Sequence, residues 1–190
     1  PQVLIFKQLA QLFKYLTSPA VTVYPPKIYP TAYCMYKQLS ALCLAIISFG
    51  CYLHAQNYKH ITALQSKLAG TSADTVRVNT LISLGYAYSD ANHDSARYFL
   101  NEAEKLAGKL KYATGLADIE YNRGTVYYSE GNIDSAEIQF NKALEMMEDA
   151  GRPDKLDHIY TSIGLVFRSR AEHLKSISYF EKAVAISQQY

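Results

Sequence analysis

From Val76 onward apolar residues recur at spacings of three and four, and no proline interrupts them before Pro153. That period places an apolar stripe along each of a series of helices. The stripes and their breaks predict helices at about 75–90, 93–109, 112–130, 133–150, 154–170 and 173–189, after a lead-in helix near 57–69. Turn-forming residues stand in the breaks: Ala91-Asn92-His93-Asp94, Gly131-Asn132 and Gly151-Arg152-Pro153-Asp154. Gly131 and Asn132 both tolerate positive φ, which a tight helix–helix turn requires. Six helices joined by short turns predict an all-α fold of antiparallel helix pairs.

Upstream the pattern is different. Leu39 to Leu53 is an almost unbroken apolar run; Lys37 precedes it, and Leu53-His54-Ala55 follows, ahead of Gln56. A positive residue, a short apolar run and a small residue make a secretory signal peptide, assigned to residues 35–55 with cleavage after Ala55. The run from Gln38 to Leu53 is 16 residues, short of the roughly 20 that span a bilayer as a helix. Cys51, preceded by the small Gly50, offers an alternative in which acylation tethers the protein to a membrane surface. Residues 1–34 lack an initiating Met, acids and arginine and carry scattered prolines; they read as a non-native upstream segment. An amphipathic membrane-surface helix over residues 3–16 is the competing reading. Residues 56–73 form the lead-in helix and linker, and residues 74–190 the folded array.

Self-similarity organises that array. Gly85, Gly124 and Gly164 are 39 and 40 residues apart. Tyr88, Tyr127 and Phe167 follow each glycine by three residues, then come Leu100, Phe140 and Phe180, then Ala103, Ala143 and Ala183. Three units result, at about 77–111, 117–151 and 157–190. Gly124 and Ala136 are small because the two helices of a unit cross there, while Tyr127, Phe140 and Ala143 fill the surface between them. Some positions depart from the pattern. The first turn is one residue shorter, Glu120 and Arg123 occupy apolar positions, and Ser176 replaces a small alanine. After the last helix no polar capping helix follows, so Phe180, Val184 and Ile186 would stay uncovered at roughly 1.5 to 3 kcal/mol of unrealised burial each. The array is therefore expected to continue beyond Tyr190.

Charge sharpens the division. Residues 1–73 hold six lysines and no acid, whereas 74–190 hold 13 basic and 17 acidic residues, a net of −4 within a chain total of +2. All three cysteines (34, 43 and 51) lie upstream, so the array has no disulfide or thiolate chemistry. Its ten tyrosines suggest base stacking, but the net negative charge repels a phosphate polymer, and nucleic acid is not an expected partner. Phosphate loops, nucleophile elbows, dinucleotide fingerprints and helical zinc pairs are absent. Asp154, Asp157 and His158 are the nearest thing to a metal cluster, and helix N-terminal capping explains them better. Neither catalysis, cofactor nor metal is expected.

The middle unit, Tyr121 to Asn132 followed by Ala136, Phe140 and Lys142-Ala143-Leu144-Glu145, resembles the tetratricopeptide repeat. The resemblance covers residues 74–190, with a period longer than usual, and implies a right-handed superhelical solenoid. It also implies a concave groove, lined by the first helix of each unit, that holds a protein or peptide. Register with the repeat assigns to that groove Asn79, Ile82, Tyr86 and Ser89, then Asp118, Tyr121, Thr125 and Tyr128, then His158, Thr161, Leu165 and Arg168. Tyrosines there give large contact area at small entropic cost, while Asp118, His158 and Arg168 select charge. The cationic clamp by which some relatives grip a terminal carboxylate is not implied, since only Asn122 matches it. With the leader, the resemblance points to the exported, periplasmic sensing front of a bacterial signalling protein, similar to the repeat regions of sensor kinases and regulators. A free or lipid-anchored periplasmic adaptor is the alternative. Membrane attachment would come through a helix after Tyr190 or through acylated Cys51.

Overall fold

The computed structural model describes residues 58–72 and 74–190, all within the compact unit Gln56–Tyr190. The leader assignments, including residues 1–34, the signal peptide and Cys51, lie outside the described residues. Residues 58–70 are helical (α1), followed by α2 (Thr75–Tyr88), α3 (His93–Leu110), α4 (Ala113–Ser129), α5 (Ile133–Asp149), α6 (Asp157–Ser169) and α7 (His173–Gln189). No strand occurs among the described residues, and none of their helices is long and apolar enough to cross a membrane. The pairs α2–α3, α4–α5 and α6–α7 stack in order as a helical-repeat solenoid.

Side chains at the helix starts explain the boundaries. Asp74 accepts from the Arg77 amide at 3.1 Å, Asn92 from Ser95 at 2.9 Å and Asn132 from Ser135 at 3.2 Å, each satisfying an amide the helix itself cannot pair. Asn132 works as a cap with φ −84°, while Gly131 alone takes the left-handed conformation of that turn, at φ +78°. Of the two residues that tolerate positive φ, only the glycine uses it. Two further boundaries differ from expectation. The first pair's shorter turn ends α2 at Tyr88, whose carbonyl accepts the Asn92 amide at 2.9 Å and so sets Asn92 to cap α3. Pro153 opens a single 3-10 turn, Pro153–Lys155, and buried Leu156 anchors it, so α6 starts at Asp157 rather than 154.

The interior divides into two layers. Val78, Leu81, Ile82, Leu100 and Ala103 meet Ile119 and Val126 of α4 in the first. Ala117 of the same helix meets Ala136, Phe140, Met147, Ile159, Ile163 and Val166 in the second. Buried on both sides, α4 has no single apolar stripe. Each aligned glycine lies under a large side chain of the paired helix. A Cβ at Gly85 would come 2.7 Å from Leu100, at Gly124 2.6 Å from Phe140, and at Gly164 2.7 Å from Phe180. Tyr127, expected to fill that surface, packs against the second layer but is half-buried.

The departures from the repeat compensate one another. Buried Glu120 receives Lys142 Nζ at 2.8 Å and Arg123 at 3.1 Å, and Arg123 reaches across to Glu104 at 2.6 Å. Arg123's hydrogen bond holds the Glu104 carboxyl below its ordinary range. Ser176 donates to the Gly164 carbonyl at 2.9 Å, so a buried hydroxyl is satisfied. Between units, Arg97 of α3 pairs with Glu130 after α4, and Glu137 of α5 pairs with Arg170 after α6. On α7 the expectation of three uncovered residues is half corrected. Phe180 and Ile186 are half-buried, and the exposed apolar residues are Leu174, Ile177 and Val184.

Candidate functional site

Successive first helices α2, α4 and α6 lie side by side, and α1 precedes them. Between them is a cavity of about 320 Å³ lined by His60, Ile82, Ser83, Tyr86, Asp118, Tyr121, Asn122 and His158. Five of the expected groove residues, Ile82, Tyr86, Asp118, Tyr121 and His158, are thus brought together, Ile82 being buried. The cavity adjoins the two layers: Tyr121 packs against the second and Ile82 belongs to the first.

The aromatic walls differ in mobility. Tyr121 is held: its ring meets Phe140 at 5.6 Å between centroids, His158 stands edge-on at 4.6 Å, and its hydroxyl lies 3.2 Å from Ser162 Oγ. Burial pushes the Tyr121 phenol above its ordinary range. Tyr86 is 60% exposed. His158 Nδ1 lies 3.3 Å from Asp157. The Asp118 carboxyl is raised by burial, and His158, Lys155 and Arg152 oppose that shift only through space.

The remaining expected residues lie elsewhere. Tyr128 hydrogen-bonds Ser169 at 2.9 Å, joining the second unit to the third. Thr125 turns its hydroxyl back to the Tyr121 carbonyl at 3.2 Å. Asn79 and Arg168 are exposed and do not line the cavity, as is Thr161, whereas Leu165 is half-buried. Ser89 is buried, which takes it off the groove surface. Asn122 spends its amide on the Asp118 carbonyl at 2.7 Å, so the one clamp-like residue is occupied within its own helix. Sequence register missed His60 and Ser83. His60 comes from α1, outside the repeats, so repeat alignment carries no signal for it; Ser83 sits one residue beyond a groove position.

Among the described residues no group of three His, Cys, Asp or Glu side chains is placed to hold a metal ion. Asp154 is engaged by Arg152 at 2.8 Å instead. The walls offer apolar contact, aromatic faces and one carboxylate, a chemistry of binding. No curated protein matches the sequence. The tetratricopeptide repeat family model matches residues 115–189, from the first turn of α4 to the end of α7. Residues 115–189 are therefore tetratricopeptide repeats, the family whose helical arrays serve as protein-interaction scaffolds.

Proposed function

We propose that the array holds a protein or peptide segment in the groove formed by α2, α4 and α6, and that it does so outside the cytoplasm as the sensing front of a bacterial signalling protein. The observation that carries the groove reading is the cavity itself, which collects Tyr86, Asp118, Tyr121 and His158 from three successive units. Rigid Tyr121 and exposed Tyr86 supply contact area in which few rotamers have to be ordered on binding. Export rests on the sequence of the leader, Lys37 followed by the apolar run to Leu53 and then Ala55.

Each part has its own test. Replacing Tyr86, which lines the cavity and is exposed, by alanine is expected to weaken partner binding with the helical circular dichroism unchanged; undiminished binding overturns the groove reading. The intact mass of the native product from its own cells tests the rest. A start at Gln56 and a mass well above that of residues 56–190 support the exported sensing front. A mass equal to residues 56–190 makes the protein a free adaptor, and an acyl mass on Cys51 makes it a lipoprotein.

A further inference from the structure

The groove reading leaves open what chemistry the occupant brings, and the polar groups around the cavity bear on that. Most of them are already spent. The Asn122 amide donates to the Asp118 carbonyl and the Ser83 hydroxyl to the Asn79 carbonyl at 2.8 Å, while the Tyr121 hydroxyl accepts from Ser162. The Asp118 carboxylate, by contrast, has no hydrogen bond or ion pair among the described residues. It is the one carboxylate lining the cavity, and no lysine or arginine lines it. Of the groups that act on it through space, His158 lies 3.3 Å from Asp157, Arg152 is tied to Asp154 at 2.8 Å and Lys155 is exposed.

A half-buried carboxylate without a partner is a standing cost to the fold, offset only when a cation arrives. The raised Asp118 carboxyl is the signature of that cost. The rings of Tyr86 and Tyr121 line the same cavity, and aromatic rings attract a cation and cover an alkyl stem. The volume, about 320 Å³, is at the lower end of ligand cavities and suits one long side chain rather than a cofactor.

Resting on the groove reading, we propose that this cavity receives a lysine or arginine side chain of the bound peptide, its charged head on Asp118 and its stem between Tyr86 and Tyr121. The protein then recognises basic peptides. Asp118 selects the charge, and the tyrosines admit either head group.

Selection of random displayed peptides on the full chain tests this, with affinities of the selected peptides then measured by fluorescence polarisation. Peptides with a lysine or arginine at a common position are expected. Their affinity should fall about tenfold or more against Asp118→Asn, and equally when the lysine Nζ is acetylated. Asp118→Asn should melt no lower than the unaltered protein, because asparagine removes the desolvated charge and keeps the shape. Peptides that need Tyr86 but show no basic preference, or bind Asp118→Asn undiminished, overturn the cation assignment and leave the groove reading intact. Loss of binding on acetylation of the peptide's α-amine, and not of Nζ, overturns the side-chain assignment in favour of a chain terminus. Peptides indifferent to Tyr86→Ala overturn the groove reading, and this inference with it.

Discussion

The second and third units use one plan with different degrees of completion. In the second, Phe140 over Gly124 is 2% exposed because α6 closes the far side, and Asn132 and Gly131 make a capped turn. In the third, Phe180 over Gly164 is only half-buried, Glu172 makes no side-chain cap, and Ala171 takes φ +60° where the second unit has glycine. The backbone plan survives these losses, so the crossing of a glycine under a large side chain defines a unit while caps and neighbours set its stability.

The largest expected effect tests the burial difference. Phe140→Ala should cost about 3 to 5 kcal/mol in urea unfolding, and Phe180→Ala clearly less; equal costs would break the comparison. Next come the glycines. Gly124→Ala pushes a methyl against a ring with nowhere to go, at a cost of about 1 to 3 kcal/mol, whereas the Phe180 ring can swing outward from Gly164→Ala. A similar penalty at both sites would mean that the end unit is as tightly closed as the middle one. The turns give a smaller, oppositely signed pair: Gly131→Ala should destabilise by about 1 kcal/mol and Ala171→Gly should stabilise by a similar amount, read as shifts in melting temperature. The smallest effect belongs to the ion pairs. Glu137→Arg should change stability by about 1 kcal/mol or less, and adding Arg170→Glu should restore it in a double-mutant cycle.

Helix number, order and most boundaries were legible in the sequence because period and turn residues report the same event twice. The starts of α3, α5 and α7 coincide with their expected positions, and only α6 moved by as much as three residues, where Pro153 and Leu156 form a 3-10 turn that periodicity does not register. The site was harder to read. A repeat register specifies which face of a helix points into the groove, but not which side chains on that face are spent on their neighbours. Thr125 and Tyr128 share the face with Asp118, yet one bonds its own helix and the other Ser169. Glu120 and Arg123 looked like flaws when each was set against the repeat pattern; they are partners, and a single-position comparison cannot show a pair.

The inter-unit ion pairs run in opposite senses: cation on α3 and anion beyond α4, then anion on α5 and cation beyond α6. Near-identical units are prone to stack in the wrong order while a chain is being assembled. Here an out-of-order stack would set Arg97 against Arg170, or Glu137 against Glu130, and like charges at that distance repel. The alternation therefore biases the order of the units, favouring α6 after α5 over α6 in the place of α4 beside α3.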